Sequence, residues 1–337
     1  MMREHMDVPP LRGMVPPGYH QVSHKRLEPE SHLCDDGAQL KYSPGPEYKC
    51  RVWTGGSMDF KPSFLRRRER KLLVAAERLG SCRIQGTGIA SRAWVKIVQD
   101  FNYFKNKDAQ VGAIKEPNRY LLREKKGLLF FQDTPDSLRS KDDKSSMLPV
   151  PGQALRSLTM MPTPAMLFRF SALTFNSHTI HLDREYTKSV YGMPDLVVHG
   201  PLTSVLMLEM LRTVFAELSP DKKADYFIKH FEYKNHKPLW VNEEIKIECK
   251  LMIAEADADA HRFPLTSLER RKDFHREMWK VWIAKGTASN ETLAVEGTAA
   301  VSVAGHRNSP LNGIQQYTFH PSREGRSEDE PIRWTPT

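Results

Sequence analysis

The sequence predicts an α+β fold in which antiparallel strands wrap a single buried helix. Three observations carry that expectation. Strand-like segments with apolar/polar alternation fall into two runs of similar order. One segment, Leu202 to Leu218, is apolar on almost every side, as a helix enclosed all round requires. A polar stretch rich in Ser, Lys, Asp and Pro separates the two runs, a composition that buries too little apolar surface to offset chain entropy.

In the first run, the segment from Met58 through Lys61-Pro62 to Phe64 leads into a strand beginning Lys71-Leu-Leu-Val. A second strand follows from Ala93 to Phe101, and a third from Tyr120 to Phe131 with a turn expected at Glu124-Lys-Lys-Gly127. In the second run, Phe231 through Lys237-Pro238 to Trp240 leads into a strand from Glu244. Strands from Glu277 and from Leu293 follow, with a turn at Ser289-Asn-Glu. The shared order, with a Lys-Pro near the head of each run, predicts an internal duplication. The first run has no apolar helix to match 202–218, because residues 26–50 are polar and rich in Pro and Gly. The expected organisation is a first unit over 15–135, a linker over 136–152, a second unit over 153–304 and a disordered tail over 305–337.

The 337 residues suit two domains of ordinary size or one large one. A mean hydropathy of −0.54 with 39% hydrophobic residues leaves enough apolar matter for a core. No run approaches the roughly 18 apolar residues that a membrane span needs. The net charge of +9 favours polyanionic partners, among them nucleic acids, anionic membranes and coenzyme A phosphates. No nucleic-acid-binding motif accompanies the basic run Arg66-Arg-Arg-Glu-Arg-Lys71, whose two readings are contact with coenzyme A or an acidic carrier protein and a solvated edge. The four cysteines form no CxxC pair, which argues against zinc and suits a reducing compartment. The N-terminus lacks the apolar stretch of a secretory signal, so the expected location is the cytosol, with the mitochondrion as alternative.

The chemistry concentrates between Phe170 and Pro201. Asn176, His178 and His181 lie within six residues, and His199-Gly200-Pro201 opens the apolar helix. Pro201 fits the first turn of a helix, where its missing N–H costs nothing. The Gly200 amide then points outward at the positive end of the helix dipole and suits an oxyanion hole for a thioester carbonyl. The imidazoles are the acid/base candidates. His-x-x-His could also hold a metal, but no third ligand is evident. Asp183 and Glu185 suit a helix start or the surface; Trp240, Trp279 and Trp282 suit the core.

Phe175-Asn-Ser-His-Thr-Ile-His-Leu-Asp183 resembles the MaoC-like hydratase motif of hotdog proteins, in the branch of hydroxyacyl-thioester dehydratase type 2 and mesaconyl-CoA C4 hydratase. Leu196-Val-Val-His-Gly-Pro-Leu202, Lys237-Pro-Leu-Trp-Val241, Pro16-Pro-Gly-Tyr-His20 and Trp53-Thr-Gly-Gly-Ser57 are similar to the same branch. The resemblance implies a double hotdog whose first repeat has lost its helix. It also implies reversible hydration of a 2-enoyl thioester, or dehydration of a 3-hydroxyacyl thioester, carried on coenzyme A or an acyl carrier protein with no further cofactor. Asn176 stands where the broader family has its catalytic aspartate, and asparagine takes no proton. His181, His178 and Asn176 are therefore the expected catalytic residues, Gly200 the oxyanion hole, and His199 and Pro201 substrate contacts. The competing functions are a hotdog thioesterase and a non-catalytic acyl-thioester binder. A monomeric pseudo-dimer or a homodimer is expected.

Overall fold

The computed structural model describes residues 15–23, 28–39, 41–62, 71–105, 120–139, 147–219, 224–252, 274–286 and 290–305. The basic run at 66–70, the stretch at 140–146, Ser289 and the tail beyond 305 lie outside them.

Nine strands form one antiparallel sheet in the order β2-β3-β4-β1-β6-β9-β8-β7-β5. The first four are β1 (Cys50–Phe60), β2 (Lys71–Gln85), β3 (Arg92–Lys105) and β4 (Leu122–Phe131). The rest are β5 (Arg156–Met160), β6 (Ala224–Asn235), β7 (Ile245–Met252), β8 (Phe274–Lys285) and β9 (Thr292–Gly305). The order β2-β3-β4-β1 repeats as β7-β8-β9-β6, so the two halves are equivalent in topology and meet where β1 pairs with β6. Lys61-Pro62 follows β1 and Lys237-Pro238 follows β6, at equivalent places. Met58–Phe60, at the head of the segment that leads toward β2, thus end a strand of their own.

Among the described residues between β5 and β6 lie three α-helices: α1 (Pro164–Thr174), α2 (Arg184–Tyr191) and α3 (Gly200–Leu218). Thr163 caps α1, its hydroxyl accepting from the Met166 amide, and Asp183 caps α2 by accepting from Tyr186. α3 has no polar stripe; thirteen of its residues are buried, from Leu202 to Leu218. Its core partners come from both halves: Met58, Phe60, Phe101 and Leu122 from the first, and Phe231, Ile247, Trp279 and Val301 from the second. Trp240, Trp279 and Trp282 are fully buried. Two topologically equivalent sets of antiparallel strands, packed around the long helix α3, make this a double hotdog. Among the described residues before β5, α-helical backbone is confined to the single turn His20–Ser23 and to Pro62.

The turn expected at Glu124–Gly127 is instead continuous strand within β4. Glu124 and Lys126 point inward, where the carboxylate and the ammonium lie 3.3 Å apart and Lys126 donates to Gln99 at 2.7 Å. Paired charges let a polar sequence occupy a buried strand, which alternation read on polarity alone mistakes for a turn.

Candidate active site

The connection from α1 to α3 delivers the predicted residues to one place. α1 ends at Phe175, whose left-handed φ of 48° turns the chain sharply. Asn176 follows, and its Oδ1 accepts from the His178 amide at 3.2 Å, so Asn176 shapes the turn that presents His178. A single 3-10 turn, Thr179–His181, then buries Ile180 and His181. α3 begins at Gly200, and Val198 pairs with Leu239 across the chain. Asn176, His178, His181, His199, Gly200 and Pro201 all line one cavity of about 870 Å³. The cavity runs from there over the first half, past Ile97, Gln99 and Lys126, where no helix matching α3 stands among the described residues.

His181 is buried and its Nδ1–H donates to the Val197 carbonyl at 2.7 Å. That bond fixes the tautomer and leaves Nε2 as an acceptor for the cavity. Its ring stacks on His199, with centroids 3.6 Å apart and planes 19° from parallel. Burial, then the His199 and His178 imidazoles, hold His181 well below the usual histidine range, so the ring is neutral near pH 7. His199 in turn shares a hydrogen bond with the Ser171 hydroxyl at 2.9 Å. His199 is thus the platform beneath His181 as well as part of the cavity wall.

His178 is buried, 5.7 Å from His181 centre to centre, with the rings nearly perpendicular. Its Nε2 lies 3.0 Å from Oδ2 of Asp36, leaving Nδ1 for the cavity. Burial lowers its pKa and the Asp36 carboxylate opposes that, with a net lowering. Asp36 also accepts from the Tyr191 hydroxyl and, at 2.9 Å, from the Ala38 amide. Burial would raise the carboxyl, but His178, Tyr191 and Ala38 together hold it well below the usual carboxylate range. Sequence reading missed Asp36, which lies 142 positions before His178 in a polar loop with no regular element around it. The Asp-Asp-Gly turn at 35–37 was the available signal.

That loop is fastened to the motif by backbone. The Thr179 amide donates to the Asp36 carbonyl at 2.9 Å, and the Ser177 hydroxyl donates to the Gly37 carbonyl at 2.8 Å. Gly37, at φ 71°, leaves no room for a side chain, since a Cβ there would run into the Ser177 carbonyl.

At the start of α3, the Gly200 N–H has no backbone acceptor among the described residues, as befits a first helical residue. Trp53, from β1, closes on Gly200: a Cβ at 200 would stand 2.6 Å from the Trp53 Cβ and 2.7 Å from its Cγ. Trp53 is itself held, its indole N–H donating to the Tyr233 hydroxyl at 2.8 Å and its carbonyl accepting from Asn235 at 2.8 Å. The first half therefore adds both Asp36 and Trp53 to a site whose histidines belong to the second. Among the described residues no group of three His, Cys, Asp or Glu side chains is set to hold a metal ion.

The chain is 31% identical over 251 residues, 68% of its length and 76% of the relative's, to the hydroxyacyl-thioester dehydratase type 2, mitochondrial, of Schizosaccharomyces pombe. It is 59% identical over 54 residues, 16% of its length and 19% of the relative's, to the mesaconyl-C(4)-CoA hydratase of Chloroflexus aurantiacus. A solved structure described as a MaoC-like dehydratase superimposes with a TM-score of 0.49 at 13% identity, covering 86% of this chain and 83% of that one. The family profile of hydroxyacyl-thioester dehydratase type 2 matches residues 18–241, two thirds of the sequence, and the chain belongs to that family.

Proposed function

We propose that the cavity between α1, α3 and β1 is where this hydro-lyase of acyl thioesters adds or removes water, with His181 as the base at the α-carbon. The observation that carries the assignment is the fixed tautomer of His181. Its Nδ1–H is committed to Val197 and its Nε2 lone pair is left to the cavity that the Gly200 amide also borders. In dehydration, the thioester carbonyl acidifies the neighbouring C–H. His181 Nε2 takes that proton while the carbonyl oxygen, gaining negative charge, is held by the Gly200 N–H at the positive end of α3. The Cβ–O bond then breaks and the hydroxyl leaves as water, taking a proton from Nδ1 of His178 in its protonated form or oriented by His178 with Asn176. Hydration is the same path reversed, and the proton gained on one imidazole and lost on the other is balanced through solvent.

The chemistry calls for no cofactor beyond the thioester carrier, either coenzyme A or an acyl carrier protein. One chain carrying both topological repeats supports a monomeric pseudo-dimer, with a further homodimer as the alternative. The cytosol or the mitochondrion is the proposed compartment; the S. pombe relative is named as mitochondrial.

Crotonyl-CoA and longer 2-enoyl-CoAs, offered to wild type, His181→Ala and His178→Ala, test the assignment. The expected result is a product one water heavier from wild type, and losses of about 100-fold or more for His181→Ala, the range of a removed general base. Full activity in both variants overturns the site. Release of free thiol in place of a hydrated product overturns the reaction in favour of a thioesterase.

A further inference from the structure

We propose that Asp36 is a positioning residue for His178, delivered by the first half of the chain to a site whose imidazoles come from the second. The inference rests on the acid/base role proposed above for His178. Its geometric basis is independent of that role: the 3.0 Å approach of Oδ2 to His178 Nε2, with the Tyr191 hydroxyl on the same oxygen and the Ala38 amide on the other. All three side chains are buried. A carboxylate that already accepts from Tyr191 and Ala38 cannot swing away, so the side of the imidazole it occupies is fixed. Being ionised, it can only accept, so Nε2 carries the hydrogen and Nδ1 keeps its lone pair toward the cavity. This is the arrangement by which a carboxylate orients a catalytic imidazole and steadies it when it takes a proton.

Asp36 thereby supplies, from 140 positions upstream, a carboxylate that Asn176 denies the motif. The bonds from the Thr179 amide to the Asp36 carbonyl and from the Ser177 hydroxyl to the Gly37 carbonyl hold the loop in register with the motif, and they do not depend on the Asp36 side chain. The other charged or titratable groups facing the pair are Arg51 and Cys50 on β1, Cys34 and Asp35 on the loop of Asp36, Tyr186 and Tyr191 on α2, and His181.

Asp36→Asn in the full chain is the test, assayed for 2-enoyl-CoA hydration. We expect kcat to fall about 10-fold or more with KM within about 3-fold, because orientation acts on the chemical step. Losing the negative charge makes His178 easier to deprotonate, so the acidic limb of the kcat–pH profile shifts to lower pH. Asp36→Glu should recover part of the lost kcat. A kcat loss below 10-fold, or a loss with no movement of the acidic limb, overturns the proposal. If Asp36→Asn does not fold, Tyr191→Phe decides: kcat reduced at unchanged KM supports the proposal, and an unchanged kcat overturns it. If wild type hydrates no substrate, the reaction assignment fails separately. The His178 titration followed by NMR then still tests the pair: a lower pKa in Asp36→Asn supports it, and an unchanged one overturns it.

Discussion

At the scale of single residues, the site is made by committing one nitrogen of each imidazole to the protein and leaving the other to the cavity. His181 is hydrogen-bonded to a carbonyl and His178 lies 3.0 Å from a carboxylate, which makes the two rings chemically different although only three positions separate them. The histidines, Asn176 and Gly200 were legible in the sequence because the motif is local. Asp36 and Trp53 were not, because nothing local distinguishes an aspartate or tryptophan that will meet a partner more than a hundred residues away. Burial of the two imidazoles has a consequence for stability. Both are held below the usual histidine range, by burial first, so the folded protein resists protons that the unfolded chain accepts. Their contribution is complete above the unfolded value of about 6.5 and is lost as pH falls through 6.5 toward the lower folded values, at up to about 1.4 kcal/mol per pH unit for each ring. Asp36 acts in a separate window, contributing above its unfolded value of about 3.9 and losing that contribution below it. Urea denaturation at pH 7.5, 6.5, 5.5 and 5.0 should therefore show stability falling below 6.5, with a shallower slope in His181→Gln. Equal slopes in the two proteins would rule out His181 as a source.

At the scale of elements, α3 carries the design. Its all-round apolarity announced a buried helix, and Pro201 announced where it starts. β1 was harder to read, because Trp53-Thr-Gly-Gly-Ser57 resembles a loop by composition. The glycines instead mark crowding and an irregularity: the pairing of β1 with β4 shifts register between Trp53 and Gly55, and a Cβ at 55 would strike the Tyr233 carbonyl on β6. That shift lies beside the residue that seats Trp53 against the start of α3. The helix N-terminus and the indole therefore share one fit. Gly200→Ala keeps the N–H but forces Trp53 or α3 to move, since the nearest indole atoms lie under 3 Å from the new methyl. Overpacking of this kind costs about 1–3 kcal/mol. The expected outcome is a stability loss in that range together with a fall in kcat of about 10-fold or more, from displacement of the proposed oxyanion donor. A thermal melt and a hydration assay on the same preparation check both. Wild-type kcat in a destabilised variant would separate the packing role of Gly200 from the catalytic one.

At the scale of the molecule, the two topological repeats divide labour. The similar order of strand segments made the duplication legible, and the described residues of the polar 26–50 stretch hold no helix like α3, as its composition foretold. The sequence could not show what the first repeat does in exchange. Its concave face becomes an extension of the cavity, its loop at 34–39 clamps the motif, and its strand β1 covers both an edge and a helix end. Residues 153–305 alone would lose all three. β6 would present an unpaired edge from His230 to Lys234, and α3 would lose Met58, Phe60, Phe101 and Leu122 from its apolar surroundings. An exposed edge beside an uncovered apolar surface drives association. The fragment is therefore expected to self-associate through β6 or precipitate, and to lack hydratase activity even where it is soluble, since Trp53 no longer closes on Gly200. Light scattering on the purified fragment, with a hydration assay on the same fractions, checks this. A monomeric fragment with full activity would show that the first repeat is dispensable to both fold and site.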